Sequence, residues 1–131
     1  MKCLLISLVS FFLLGSMEAS GEDWKLYGKN ESGVFYYDTE SMSRPTKDTV
    51  RVWAKMVHSK ESIKQAGKGL ENLSYSKRLW EIDCADKKIR RLSKIAYTED
   101  DKNIISDNTA EKWQSIKPKS LEQALYEKAC K

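Results

Sequence analysis

The sequence predicts an α+β fold: about six antiparallel strands in meander order, a C-terminal helix packed on the sheet, and one disulfide. Three observations carry this expectation. Short alternating segments, separated by turn residues, fill most of the chain, and no βαβ pattern occurs. The hydrophobic period changes to a helical one only after Pro118. Two cysteines, Cys84 and Cys130, remain once an apolar leader containing Cys3 is set aside.

The leader comes first. Met1-Lys2-Cys3 precedes an apolar run from Leu4 to Leu14, broken only by Ser7 and Ser10, and small residues follow. A basic start, a short apolar run and a small-residue end describe a secretory signal peptide over residues 1–20, cut after Ala19 or Ser20. A transmembrane helix needs about 20 apolar residues, more than this run supplies. Residues 21–131 then form a single domain of about 110 residues. In an exported domain the surviving cysteine pair reads as a disulfide.

Trp24-Lys25-Leu26-Tyr27 reads as the first strand, and Asn30-Glu31-Ser32-Gly33 as a turn. The aromatic run Val34-Phe35-Tyr36-Tyr37 is the second strand. Asp38 to Pro45 carries loop chemistry. Thr49 to His58 alternates most clearly, with Val50, Val52, Ala54 and Met56 facing one way and Arg51, Trp53, Lys55 and Val57 the other. Lys60 to Ala66 favours a short polar helix or a loop, ended by Gly67 and Gly69, with Leu70, Leu73 and Tyr75 tucking the segment down. Ser76 to Cys84 is a strand with Arg78, Trp80, Ile82 and Cys84 on one side. After a turn at Ala85-Asp86-Lys87, a strand returns from Ile89 to Thr98 through Leu92, Ile95 and Tyr97. Glu99 to Asn103 is a polar turn, and Ile104-Ile105-Ser106 a last short strand. Ser120 and Gln123 match a capping box, and Leu121, Ala124, Leu125 and Ala129 share the face of the helix that follows.

Charge and motifs bound the function. With 23 Lys+Arg against 19 Asp+Glu the net charge is +4, with both signs mixed. Nucleic-acid binders carry a concentrated basic face, and none is expected as a partner here. The most basic stretch, Lys87-Lys88-Ile89-Arg90-Arg91 with Lys94 beyond it, suits either a protected strand edge or a contact with an acidic extracellular surface. His58 is the one histidine and has no nucleophile motif beside it. Glu81 and Asp83 share a strand face, and a solvated face explains them better than a catalytic pair does. Two distant cysteines and one histidine fall short of a zinc set, and the Glu99-Asp100-Asp101 run lacks the calcium-loop pattern. No cofactor and no enzymatic activity are expected. The remaining candidate is a cationic and aromatic surface made of Arg51, Trp53, Lys55, Arg90, Arg91 and Lys94, residue types suited to binding a protein. Packing of this face, partly covered within the domain or against a second copy, is the alternative.

Taken in order, several segments resemble the surface-adhesin protein E-like domain of exported bacterial proteins. They are Trp24, Phe35-Tyr36-Tyr37-Asp38, Val50-Arg51-Val52-Trp53-Ala54-Lys55 and Trp80-Glu81-Ile82-Asp83-Cys84. Lys88-Ile89-Arg90-Arg91-Leu92 and Tyr97 follow, and then Trp113, Ile116, Pro118, Ser120 and Cys130. The resemblance runs from Trp24 to Cys130 and implies a six-stranded sheet with its C-terminal helix tied down by Cys84–Cys130. It also implies adhesion to host extracellular-matrix protein. The chain departs from the pattern at Asp100-Asp101-Lys102, where a turn glycine is common, and at Lys119, where glycine is frequent. Two functions from different classes follow. One is an exported, non-catalytic binding module at the cell surface. The other is a periplasmic accessory module or enzyme inhibitor with an envelope-protein partner. A homodimer through the open sheet edges fits either.

Overall fold

The computed structural model describes residues 22–131. The leader expected at residues 1–20 lies outside them. The strands are β1 (Trp24–Asn30), β2 (Gly33–Asp38), β3 (Ser43–Thr46), β4 (Thr49–His58), β5 (Leu73–Asp83), β6 (Lys88–Thr98), β7 (Asn103–Asp107) and β8 (Gln114–Ser115). The helices are α1 (Lys60–Ala66) and α2 (Leu121–Ala129).

Six strands form an antiparallel sheet in the order β1-β2-β4-β5-β6-β7. Two short strands complete it where the longer neighbours run out. β3 pairs with the first part of β4, and β8 with the start of β6. Both fell in stretches without alternation, so the sequence reading missed them. Asp38 to Pro45, expected as a loop, holds a single 3₁₀ turn (Thr39–Ser41) and most of β3. Asp38 starts that turn by accepting from the Glu40 N–H.

β4 alternates as its sequence demands. Val50 and Val52 are fully buried, and Ala54 and Met56 nearly so. Val50 and Val52 join Ile82, Ile89 and Ile116 beneath α2, whose Leu125, Tyr126 and Ala129 close the core. Burying a Val or Leu side chain fully contributes roughly 1.5–3 kcal/mol, so this one layer supplies much of the drive to fold. Ser120 caps α2 by accepting from the Gln123 N–H at 3.0 Å. The reciprocal half of the capping box is absent, because the Gln123 side chain donates to Glu127 instead. Cys84 follows β5 directly, Cys130 caps the C-terminus of α2, and the two are joined as a disulfide. The bridge spans 46 residues of sequence.

The returning strand departs from simple alternation. Leu79 opposes Ser93 but Trp80 opposes Arg91, so Leu92 is an extra residue in β6. Ile89 and Ala96 are consequently the buried apolar residues of β6, while Leu92, Ile95 and Tyr97 are only half-buried. Tyr75 does not tuck α1 down. It lies on the opposite side of the sheet from Ser76, stacked on Tyr97 at 4.8 Å. Three non-glycine residues adopt left-handed backbone: Lys87, Asp101 and Lys119. Two of them fall within the segments that depart from the family pattern.

A cationic and aromatic surface on the open side of the sheet

The helix covers one side of the sheet and leaves the other without a layer of its own. Register and alternation place Trp24, Tyr36, Trp53, Lys55, Tyr75, Lys77, Ile95 and Tyr97 together on that open side. Lys55 lies at the centre. Its Nζ sits 4.9 Å from the Trp24 ring, 5.7 Å from Tyr75 and 5.9 Å from Tyr36. Lys77 is 5.6 Å from Trp24 and 5.5 Å from Tyr97. A cation over a ring face is attracted by the ring quadrupole, so these two lysines are held in place rather than splayed into water. Glu22 closes the group, bonding Lys77 at 3.0 Å and accepting from the Trp24 indole. The bond from Lys77 is the main reason the Glu22 carboxyl is held below its ordinary value. A small cavity of about 180 Å³ opens here, walled by Trp24, Trp53, Ile95 and Tyr97, with Asp38 and Lys77 supplying polar atoms.

A second group lies beside the first. Glu81 is buried, and Arg51 and Arg90 both reach it from the flanking strands, at 2.9 Å and 2.8 Å. Burial works against its charge, but the two guanidinium groups outweigh burial and keep the carboxyl below its ordinary value. Arg90 also stacks on the exposed Trp113, 4.6 Å from the ring. Asp83, its neighbour on the same face, accepts from the N–H groups of Ala85 and Asp86 in the turn. Both carboxylates are thus occupied with structural partners.

Of the six side chains the sequence singled out, Arg51, Trp53, Lys55 and Arg90 share this open side. Arg91 and Lys94 do not. The extra residue Leu92 shifts the alternation, so both face the helix side. Arg91 there bonds Glu111 at 3.2 Å and Asp107 at 3.5 Å. Sequence reasoning also passed over Trp24, Lys77 and Tyr97 as members of the site. The signal was present in Tyr75-Lys77-Leu79 and Ile95-Tyr97, which alternate in step with Trp53 and Lys55.

The lone histidine is no surface residue. His58 is half-buried between two hydroxyls, Ser62 at 2.9 Å and Ser76 at 2.7 Å. Burial, aided by the charges of Arg78 and Lys94, pushes its pKa down to about 4, so the ring is neutral at pH 7. Among the described residues, no three His, Cys, Asp or Glu side chains converge as a metal set. No helix among them is long and apolar enough to cross a membrane.

The model of the family described as surface-adhesin protein E matches residues 24–131, nearly all of the described chain. The chain belongs to the surface-adhesin protein E family. Among solved structures, that of Haemophilus influenzae protein E is similar, with a TM-score of 0.58 at 13% identity. The match covers 82% of this chain and 83% of that one. At such identity the likeness speaks for the fold alone. No curated protein matches the sequence. As a member of the adhesin E family, the chain keeps the expected sheet, helix and disulfide, and adds the short strands β3 and β8.

Proposed function

We propose that this adhesin E family member is an exported, non-catalytic binding module that docks a protein ligand outside the cell through the open side of its sheet. One observation carries the reading. Lys55 and Lys77 are caged by aromatic rings on a half-buried sheet face, with Trp53 between them and the Arg51–Glu81–Arg90 group. Interfaces concentrate their binding energy in such Trp, Tyr and Arg side chains, already ordered and rimmed by polar groups. Ordering before contact lowers the entropy cost of binding. Family membership supports an adhesin-like role, and an extracellular-matrix protein is the ligand class it suggests.

The test is adhesion by intact cells of the native producer, comparing the parent with a strain lacking the protein, on immobilised matrix proteins. Adhesion should fall in the deletion strain and return with the wild-type chain but not with Trp53→Ala. Equal adhesion by both strains would overturn the matrix-ligand reading. Protease treatment of the same cells decides where the module works. Protein that stays protected in a soluble periplasmic fraction would move the role to an accessory module acting on an envelope partner.

A further inference from the structure

The helix side of the sheet holds a second, separate feature. α2 covers only the half of that side built from Val50, Val52, Ile82 and Ile89. Over the other half, between α1 and the sheet, lies a cavity of about 350 Å³. Its size falls within the range of about 300–1,000 Å³ common for small-molecule sites. Leu73, Ala96 and Ile105 give it apolar walls, His58 and Ser62 neutral polar atoms, and Lys94 its one cation. No carboxylate lines it.

Lys94 stands directly opposite Arg78 across β5 and β6. Like charges in that position repel, and both side chains are half-buried, where charges normally carry a partner. Neither makes an ion pair among the described residues. The Arg78 guanidinium reaches only the Met56 sulfur, at 3.5 Å. Asp107 opposes Lys94 on the next strand, but its carboxylate is taken up by Arg91 and by the Thr109 N–H. The two cations therefore lie side by side without a direct ionic partner, and Asp107, Glu111 and Glu122 act on them only from a distance. We propose that this cavity binds a small anionic amphiphile, its carboxylate or phosphate held by Lys94, with Arg78 beside it adding positive charge from outside the lining, and its short apolar part against Leu73, Ala96 and Ile105. Burial is the main cause of the low His58 pKa, and the charges of Arg78 and Lys94 add to it.

The experiment is an NMR titration of the protein with hexanoate, hexyl phosphate, hexanol and inorganic phosphate, following His58 and Ala96. Hexanoate and hexyl phosphate should shift both residues and saturate. Lys94→Met should weaken binding at least tenfold, Lys94→Arg should retain it, and Lys47→Met in the exposed β3–β4 turn should leave it unchanged. Lys94→Arg keeps the charge, so it guards against a loss caused only by misfolding of the Met variant. Hexanol binding as tightly as hexanoate would overturn the role of the cations. Inorganic phosphate binding as tightly as hexyl phosphate would overturn the role of the apolar wall. No shift at His58 and Ala96 with any probe at millimolar concentration would overturn the site itself. The better of the two anionic headgroups identifies which anion the pair prefers.

Discussion

The Glu81 carboxylate meets the Arg90 guanidinium at 2.8 Å across β5 and β6, with the Glu81 side chain only 6% exposed. Arg51 approaches the same carboxylate from β4 at 2.9 Å. One buried acid thus fixes two of the cations that a ligand would meet. Glu81→Ala should cost about 1–3 kcal/mol at pH 7, because the arginines are partly exposed and can recover some hydration. Urea unfolding measures it. The carboxyl is held low in the folded state, so its contribution is present above the ordinary carboxylate range and is lost as the pH falls through the folded pKa. The gap between wild type and Glu81→Ala should therefore shrink in acid.

His58 acts in a different window. Its pKa is about 4 folded against 6.5 in the unfolded chain. Unfolded chains take up the proton first as pH falls, so stability should drop between about pH 6.5 and pH 4 and level off below. His58→Gln should remove that part of the slope. A pH series of melting curves, with an NMR titration of the ring, checks both statements.

Reduction of Cys84–Cys130, or the double change to serine, should cost about 4 kcal/mol on the loop-entropy account. That is a large share of the roughly 5–15 kcal/mol typical of a domain. Thermal melting with and without reductant reads the loss, and an unchanged melting temperature would contradict the bridge.

Gly33 tests the β1–β2 turn. A Cβ added there would lie 2.2 Å from the Val57 carbonyl oxygen, which is backbone and cannot swing away. Gly33→Ala should destabilise by about 2 kcal/mol or more. Lys119 is the converse. Its φ of 61° is left-handed, and it sits in an exposed turn. Lys119→Gly should be neutral or stabilising by up to about 1 kcal/mol, the relief of backbone strain being partly offset by a freer unfolded chain. Denaturant midpoints compare the two variants directly.

The alternation of Thr49 to His58, the cap at Ser120 and the cysteine pair were legible in the sequence because each is a local rule with a fixed period or partner. The distribution of side chains along β6 was not. An unbroken period of two would put Arg90 and Lys94 on one face, and the single inserted residue Leu92 parts them. Nothing in Arg90-Arg91-Leu92-Ser93-Lys94 announces a bulge, because it is set by pairing with β5. Short strands such as β8 are likewise defined by their partner, with only two residues of their own. The cage around Lys55 draws on four strands, so its members could be recognised singly but not assembled. Glu81 was visible as one of two carboxylates on a face; its burial between two arginines depends on the register of three strands.

The helix α2 is made after every strand of the sheet, yet it packs against the first of them, with Leu121 lying over Gly28 of β1. During synthesis and passage across a membrane, Val50, Val52, Ile82 and Ile89 therefore emerge long before their cover does. A chain that has not yet reached residue 121 lacks the helix that covers these side chains. The bridge from Cys130 to Cys84 can close only once residue 130 of the chain is made.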